Sequence, residues 1–404
     1  MGCLCGKPAN ESQVETHRQC AQEDFAVADL FRVEHCLGRG AGGETWMCKD
    51  MSTGDTVAVK FIKRPLPKAV LPMLCQEVKI QAMLGEGHVG IVQARQLFLT
   101  KTHLELAMEC MPGGTLADYL TREWTPCRPR KGLSEDEARY FFKQFLEAVD
   151  YLHMNHVAHR DIKLDNIVLD GRTPPRIKLI DFGFAKGWDE RDTARAHTPI
   201  GTPVYMCPQR LNSSKHGYNT KRADLWSCGV LLYALLLGKF PFEHASELGP
   251  DDTEALTEVW RQQAQGSWRT PKQAQLLSED CRDLLDKMFE LDEALRPDCE
   301  AIRQHPWYRA PLPAEYELAL AGLRTEQAAV QQQLLSRPRD TKARERALQR
   351  LVNQAGSEHC SGADLVPTPR LWLARGASPY GLDAADVDVE STEDAGDEAA
   401  DQKP

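Results

Sequence analysis

The segment AHRDIKLDNIVLDGRTPPRIKLIDFG, at residues 158–183, is the most informative part of the chain. It places Asp161, Lys163, Asn166 and Asp181 at fixed intervals between short apolar runs. A carboxylate can orient an attacking hydroxyl, an ammonium can neutralise a phosphate, and an amide with a second carboxylate can hold magnesium. His-Arg-Asp alone could be an ordinary polar loop. An asparagine five residues after that aspartate and Asp-Phe-Gly starting twenty residues after it make chance a poor explanation.

The bulk composition fits a globular chain in a reducing compartment. With 404 residues, of which 42% are hydrophobic, the chain has room for about two to three compact units. Its 13 cysteines show no paired spacing and its start has no apolar signal segment, so we expect free thiols and a cytoplasmic location. The longest apolar run, at 229–238, has about half the length of a bilayer span and is typical of a buried helix.

The charge is distributed unevenly. The net charge is -10, and the stretch from Asp383 to Asp401 holds nine acidic residues and no basic one. The rest of the chain is close to neutral, which argues against a nucleic-acid partner. We expect residues 353–404 to form a disordered acidic tail and residues 1–24 to form a disordered leader.

Apolar periodicity predicts an α+β fold with two lobes. Residues 31–111 contain short apolar strands and one helical segment around Met73 to Leu84, which predicts a small, β-rich lobe with one key helix. Residues 112–308 show helical spacing and predict a larger, helical lobe. An apolar stripe along 314–336 predicts a helix within an extension that covers 309–352.

A glycine cluster precedes the first strands of the small lobe. Gly38, Gly40 and Gly43 follow a G-x-G-x-x-G pattern, which lets the backbone fold closely over phosphates. Such clusters are usually just turns, but this one is followed at the interval of a strand, turn and strand by Val-Ala-Val-Lys, which ends at Lys60. Glu77 lies on the one helix predicted for the same lobe.

Together these motifs resemble those of protein kinases, and the resemblance covers about residues 31–308. It implies the bilobal protein kinase fold and the transfer of the γ-phosphate of ATP, with Mg²⁺, to hydroxyls of protein substrates. In this interpretation Asp161 orients the proton of the substrate hydroxyl, Lys163 neutralises the γ-phosphate, and Asn166 with Asp181 chelates Mg²⁺.

The resemblance also assigns residues to the nucleotide. Lys60 would bridge the α- and β-phosphates while it pairs with Glu77. A solvated surface salt bridge is the alternative for that pair. The backbone carbonyl of Glu109 and the backbone amide of Met111 would bind the adenine. A lysine two residues after the catalytic aspartate, together with Gly201-Thr202-Pro203, is similar to serine/threonine kinases, so we expect serine and threonine substrates.

The segment after Asp181 resembles an activation loop. The resemblance implies that Arg160 binds a phosphate on Thr198, which an upstream kinase or the protein itself would add. The alternative for Thr198 is a solvated loop hydroxyl, and Thr193 is a second candidate phosphosite. Thr202 is expected to be structural and to hydrogen-bond to Asp161 and Lys163.

Three departures from the kinase pattern raise an alternative. Gly42 replaces the usual aromatic tip of the glycine loop, Thr45 replaces a valine, and Cys207-Pro208-Gln209 replaces Ala-Pro-Glu. With Gln209, the usual ion pair to Arg296 would become a single charge-assisted hydrogen bond. These changes motivate the hypothesis of a pseudokinase scaffold that binds partners through its tail.

Longer stretches are similar to one plant branch of the family. HRDIKLDNIVLDG, ADLWSCGVLLYALLLGKFPFE and HPWYRAPLPAEYEL resemble the osmotic-stress branch of the sucrose-nonfermenting-related kinases. This resemblance implies stress signalling and a helix at 314–336 that packs on the small lobe and steadies Glu77. It also implies that the acidic tail docks a regulatory phosphatase or a hormone-linked partner, although a solvating tail without a partner is the alternative.

The amino terminus carries a pattern for lipid attachment. Gly2 would be exposed for myristoylation after removal of the methionine, and Cys3 and Cys5 could be palmitoylated, which would give peripheral membrane attachment. Gly6 departs from the usual serine or threonine. The alternatives are a plain disordered leader and, as a third function class, a membrane-tethered adaptor.

Overall fold

The computed structural model describes residues 30–40, 43–68, 70–100, 102–122, 132–188, 194–197, 201–212, 217–243, 253–272, 274–336 and 341–356. They form a small lobe of strands, a large lobe of helices, and two extension helices. The expected α+β fold with a β-rich small lobe and a helical large lobe is confirmed. The predictions for Gly2, Cys3 and Cys5, for the leader, and for the acidic run at 383–401 lie outside the described residues.

The small lobe is a five-stranded antiparallel sheet with a helix on one face. The helix α1 begins with a proline in its first turn, the position where a missing N–H costs least, and its apolar residues Leu74 and Val78 face the sheet. Phe31, Trp46 and Phe98 form a second apolar layer on the opposite face. The sheet order is β1-β2-β3-β5-β4, with β1 at Phe31–Gly40, β2 at Gly43–Asp50, β3 at Thr56–Lys63, β4 at Ala94–Leu99, β5 at His103–Glu109, and α1 at Leu71–Leu84 between β3 and β4.

The large lobe is built around helix α5, which contains the apolar run at 229–238. Almost all of its residues are buried, and it ends at Gly238, whose φ of 63° lies in the left-handed region that glycine adopts easily. The helices of this lobe are α2 at Leu116–Arg122, α3 at Glu135–Met154, α4 at Pro208–Leu211, α5 at Thr220–Leu237, α6 at Thr253–Gln265, α7 at Glu279–Met288, α8 at Cys299–Gln304 and α9 at Pro306–Arg309.

Three short antiparallel strand pairs accompany the helices of the large lobe. They pair β6 (Val157–Ala158) with β9 (Lys186–Gly187), β7 (Ile167–Leu169) with β8 (Ile177–Leu179), and β10 (Arg195–Ala196) with β11 (Tyr218–Asn219). Within the described ranges, no helix has the combination of length and apolarity that crossing a bilayer requires.

The first extension helix, α10 at Ala314–Leu335, lies on the large lobe. The ring of Tyr316 stacks on Tyr140 of α3 with centroids 4.6 Å apart, and Leu320 is buried in the large-lobe core. The expectation that this helix packs on the small lobe and steadies Glu77 is therefore wrong. Its apolar stripe matches the aromatic surface of α3 instead.

The second extension helix, α11 at Thr341–Ala355, packs along α1. Its residues Leu348 and Val352 are fully buried against the cluster that contains Leu74 and Val78. This helix also extends to Ala355, so the first residues of the segment expected to be a disordered tail are helical. The contact with the key helix of the small lobe thus belongs to the arginine-rich stretch that follows α10.

Arg64 fixes the end of α11 to the small lobe. Its guanidinium donates to the carbonyls of Gln354 at 2.9 Å, Ala355 at 3.1 Å and Thr100 at 2.5 Å. The last carbonyls of a helix lack partners within the helix, and a cation at this end also interacts favourably with the helix dipole. Arg64 therefore joins the extension to the loop that follows β3 and to the end of β4.

Candidate active site

The catalytic-loop side chains converge on one buried carboxylate. Asp161 is 4% exposed. Its Oδ2 accepts hydrogen bonds from Lys163 Nζ at 2.7 Å and from Asn166 Nδ2 at 3.0 Å, and its Oδ1 accepts one from Thr202 Oγ1 at 3.2 Å. Lys163 Nζ also lies 3.5 Å from Thr202 Oγ1. Four residues that the sequence analysis singled out therefore form one hydrogen-bonded group.

Asp224 of α5 supports this loop from below. Its carboxylate accepts hydrogen bonds from the backbone N–H groups of His159 and Arg160, both at 2.9 Å, and from His153 Nε2 at 2.9 Å. Burial raises the pKa of Asp224, but these hydrogen bonds and the nearby histidines outweigh burial and lower it. Arg160 has a φ of 65°, a strained conformation for a side-chain-bearing residue, and the two amide contacts hold it there.

Lys60 and Glu77 form an ion pair inside the cleft of the small lobe. Lys60 Nζ lies 2.5 Å from Glu77 Oε1, and both side chains are largely shielded from water. Burial alone would lower the pKa of the Lys60 ammonium, but the attraction of Glu77 and Asp181 outweighs it and raises that pKa. The pair is therefore not the exposed salt bridge considered as an alternative, and Lys60 stays charged at neutral pH.

Asp181 and Asn166 offer oxygen atoms of the kind that Mg²⁺ prefers. The amide nitrogen of Asn166 donates to the Asp161 carbonyl at 2.8 Å as well as to its carboxylate, which leaves the amide oxygen for another partner. Asp181 is exposed, has a φ of 63°, and accepts the N–H of Gly183 at 3.2 Å. A carboxylate and an amide oxygen, with room for water, fit the hard-cation chemistry of Mg²⁺.

The glycine loop lies at the β1–β2 turn. Gly40 and Gly43 are paired across the two strands, and Gly43 has a φ of +119°. A Cβ at Gly43 would lie 2.3 Å from the carbonyl oxygen of Phe61, so any larger residue would push β3 away. Gly38 lies on β1, whereas Gly42, the departure at the loop tip, lies outside the described residues.

The connection between the lobes is held by a charged contact that the sequence did not reveal. Glu109 ends β5, and its Oε1 accepts the backbone N–H of Gln93 and the ammonium of Lys178, both at 2.7 Å. Lys178 lies on β8, three residues before Asp181. Met111 follows, half-buried, at the boundary between the two lobes.

Comparison with known proteins identifies this architecture. The protein kinase domain profile matches residues 31–308. The chain belongs to the protein kinase family. Many curated proteins match this kinase, and the relatives described next have names that indicate serine/threonine kinases.

Three relatives illustrate the similarity. Serine/threonine-protein kinase SAPK6 of Oryza sativa subsp. japonica is 35% identical over 279 residues, which cover 69% of this kinase and 71% of the relative. SRK2H of Arabidopsis thaliana is 34% identical over 287 residues, covering 71% and 74%. SRK2A of Physcomitrium patens is also 34% identical over 287 residues, covering 71% and 76%. The expected resemblance to this plant branch is confirmed, and so is the serine/threonine class. The pseudokinase alternative finds no support.

The single hydrogen bond predicted between Gln209 of the altered Cys207-Pro208-Gln209 motif and Arg296 is present at the end of the activation segment of this kinase. Arg296 Nη2 donates to Gln209 Oε1 at 3.1 Å, a single hydrogen bond in place of an ion pair. The guanidinium also donates to the carbonyls of Glu290 at 2.8 Å and Arg222 at 2.8 Å. Burial lowers the pKa of Arg296. The buried arginine is therefore satisfied mainly by backbone oxygens, which explains how the kinase tolerates Gln209.

A second buried arginine, Arg210, was not anticipated. It is 3% exposed, and its Nη2 donates to the backbone carbonyl of Arg160 at 2.7 Å. Its guanidinium lies over the ring of Tyr218, and Arg160 Nε donates to the hydroxyl of that tyrosine at 3.2 Å. Arg160 thus lies in a basic environment that its neighbours hold in place. Thr198 and Thr193, the predicted phosphosites, lie outside the described residues.

Proposed function

We propose that this kinase binds ATP with Mg²⁺ and transfers the γ-phosphate to serine or threonine hydroxyls of other proteins, in a stress-signalling pathway. The observation that carries the proposal is the convergence of Lys163, Asn166 and Thr202 on the buried carboxylate of Asp161. In an ordinary solvated loop, three side-chain donors are not expected to meet at one buried carboxylate.

Each group has a defined part in the proposed reaction. The substrate oxygen attacks the γ-phosphorus, the bond from that phosphorus to the bridging oxygen breaks, ADP leaves, and Asp161 takes the hydroxyl proton. Lys163 lies beside the carboxylate and offsets charge on the transferring phosphoryl group. Lys60, held by Glu77, binds the α- and β-phosphates.

The remaining groups hold the nucleotide and the metal. Asn166 and Asp181 would bind Mg²⁺, which when bound neutralises charge on the phosphate oxygens. Gly38, Gly40 and Gly43 would let the β1–β2 turn cover the phosphates. The Glu109 carbonyl and the Met111 amide would orient the adenine.

Activation by phosphorylation is the regulatory part of the proposal. A phosphate on Thr198 would carry nearly two negative charges, which would pair with the guanidinium of Arg160. The backbone of Arg160 is already fixed by its hydrogen bonds with Asp224 and Arg210. Purified kinase incubated with labelled ATP, Mg²⁺ and a basic test peptide should transfer phosphate. Thr198→Ala should lower the rate, by between about 5-fold and 150-fold, the usual range of a regulatory coupling.

The matched control for Thr198 is Thr193→Ala, a threonine of the same loop. Phosphosite mapping on the wild type should find Thr198 modified in proportion to activity. If Thr193→Ala loses activity while Thr198→Ala does not, the switch is assigned to the wrong residue. A wild type without any phosphate transfer would refute the proposed function itself.

Localisation is proposed to be cytoplasmic, with peripheral membrane attachment through acylation of Gly2, Cys3 and Cys5. One acyl chain gives marginal membrane binding, and two give stable anchoring. In cell fractionation, the wild type should be enriched in the membrane fraction and Gly2→Ala should be soluble. An identical distribution of the two would remove the lipid claim.

Partner binding by the tail is the last part of the proposal. The nine carboxylates between Asp383 and Asp401 would dock a regulatory phosphatase through a basic surface. Such a complex should weaken with added salt, because exposed charges are screened beyond about 10 Å at 0.1 M ionic strength. Binding that is insensitive to salt would contradict this mode of docking.

A further inference from the structure

The segment at residues 90–93, between α1 and β4, is bound to β8 of the large lobe. Leu179 donates its backbone N–H to the Gly90 carbonyl at 2.8 Å, and Val92 donates its N–H to the Leu179 carbonyl at 3.0 Å. These are main-chain hydrogen bonds of the kind that pair neighbouring strands. The segment is therefore fixed to the strand that leads into Asp181.

Glu109 attaches the end of β5 to the same segment at two points. Its backbone N–H donates to the Gln93 carbonyl at 3.0 Å, and its side-chain Oε1 accepts the backbone N–H of Gln93 at 2.7 Å. Glu109 is thus held through its backbone and through its side chain. The carbonyl that we assign to the adenine belongs to this residue.

Lys178 holds the side chain of Glu109 from β8. Its Nζ donates to Glu109 Oε1 at 2.7 Å, and the two side chains are only 21% and 20% exposed. A charge-assisted hydrogen bond between partly buried groups is stronger than an ion pair on an open surface. One carboxylate oxygen therefore receives an ammonium from the large lobe and an amide from the segment at 90–93.

A carbonyl held in one place can distinguish the two purine bases. Adenine carries an amino group, which donates to a carbonyl, at the position where guanine carries an oxygen. A fixed carbonyl would face the guanine oxygen as one acceptor against another. A site built to bind an N–H group rejects a ligand without it, because the polar group of the site is left unpaired.

We propose that Lys178 is a positioning residue that makes this kinase selective for ATP over GTP, because its ion pair with Glu109 keeps the Glu109 carbonyl in the orientation that adenine requires. Lys178 touches neither the base nor the reacting atoms and acts through Glu109. This inference rests on the proposed function, in which the Glu109 carbonyl binds the adenine.

Calorimetric titration with ADP and GDP, each with Mg²⁺, tests the proposal. The two nucleotides carry the same sugar and phosphates, so the ratio of their Kd values isolates the base. Lys178→Met keeps a side chain of similar length and removes the charge. We expect the ratio of the Kd for GDP to the Kd for ADP to fall at least about tenfold in this variant, because the Glu109 carbonyl can then turn. An unchanged ratio would overturn the proposal.

Lys287→Met is the matched control, because it removes the lysine of an exposed ion pair with Asp283 on α7. Its Kd ratio should equal that of the wild type, and an equal fall in both variants would contradict the role of Lys178. A general loss of folded protein would weaken both nucleotides alike and leave the ratio unchanged.

Steady-state kinetics separate positioning of the base from the chemical step. Lys178→Met should have a KM for ATP raised about tenfold and a kcat at saturating ATP within about twofold of the wild type, because the group around Asp161 is intact. A lower kcat with an unchanged KM for ATP would overturn the assignment.

A double-mutant cycle tests whether Lys178 acts through Glu109. Glu109→Gln keeps an acceptor for the Gln93 N–H but removes the charge that Lys178 pairs with. In that background, Lys178→Met should change the Kd ratio less than about twofold. A further tenfold fall would show that Lys178 acts through another group. If the wild type bound neither nucleotide, the proposed function would fail and this inference with it, whereas a preference for ADP that persists in Lys178→Met refutes the inference alone.

Discussion

Replacing Asp161 with asparagine should lower kcat by about 10²- to 10⁴-fold, the range typical of losing a positioned general base. The side chains of Lys163, Asn166 and Thr202 all donate to this carboxylate, and an amide can offer only one oxygen to those three donors. The introduced amide would therefore neither accept the substrate proton nor preserve the hydrogen-bonded group.

Nucleotide binding separates a loss of chemistry from a loss of fold. ATP with Mg²⁺ should still raise the melting temperature of Asp161→Asn, because the phosphates are assigned to Lys60 and the metal to Asp181 and Asn166. The control Asp280→Asn changes an exposed carboxylate in the first turn of α7 and should have wild-type kcat. Near-normal turnover by Asp161→Asn would remove Asp161 from the catalytic role.

Glu105→Gln should abolish a pH dependence of stability that originates in the small lobe. Glu105 is 2% exposed and lies on β5 directly between Phe61 of β3 and Phe98 of β4. Burial raises the pKa of its carboxyl to about 7, against a smaller lowering by a hydrogen bond with Thr100. In the folded kinase the side chain therefore keeps its proton well above the ordinary glutamate pKa.

The sign of the effect follows from proton binding. Between about pH 4.5 and pH 7 the folded state holds a proton that the unfolded state has released, so stability falls as pH rises through this window. The pKa of Glu105 rises from 4.5 to about 7 on folding, and one pKa unit corresponds to about 1.4 kcal/mol. Above pH 7 the free energy of unfolding has therefore lost about 3 kcal/mol. Below pH 4.5 the contribution is fully present.

Urea unfolding of the wild type and Glu105→Gln at pH 5 and pH 8 measures this directly. The difference between the two proteins isolates Glu105 from His88, whose pKa burial lowers to about 4 and which therefore adds a slope of opposite sign. Glutamine has the size of glutamic acid and cannot ionise, so its stability should lack the loss. The same fall in both proteins would contradict the raised pKa.

The sequence was most informative where chemistry requires fixed spacing. The positions of Asp161, Lys163 and Asn166 follow from a loop of a few residues, so a local pattern suffices to bring them together. Gln209 and Arg296 were paired correctly because the kinase resemblance supplied both partners. Helix α1 was located within two residues of its start, since its apolar spacing and first-turn proline are local signals.

Packing partners were harder to predict, because an apolar stripe does not name the surface that covers it. The stripe of 314–336 predicted the helix correctly but not its place on α3. The helix that packs on α1 was hidden by its arginines, although Leu348, Val352 and Ala355 recur at helical spacing. The contact of the Gln327 side chain with the backbone of Gly87 and Val89 could not be predicted either, since a glutamine on a helix gives no signal of its partner.

Glu105 illustrates a different limit. In HLELAME the alternation of apolar and polar residues is typical of a strand with one solvated face. The second face is covered by Phe31 of β1, Trp46 of β2 and Phe98 of the neighbouring β4, so the carboxyl is buried. The burial of Glu105 is visible only once the strands are assembled into the sheet.

The attachment of the catalytic loop to Asp224 has a consequence for redesign. The backbone amides of His159 and Arg160 donate to Asp224 on the buried helix α5, while α2 and the exposed Asp165 border the catalytic loop at the surface. Residues of α2 and Asp165 can therefore be exchanged to change the preference for peptide substrates, while the position of Asp161, the proton acceptor, is kept. A substitution on the inner face of α5, by contrast, would change turnover for every substrate alike.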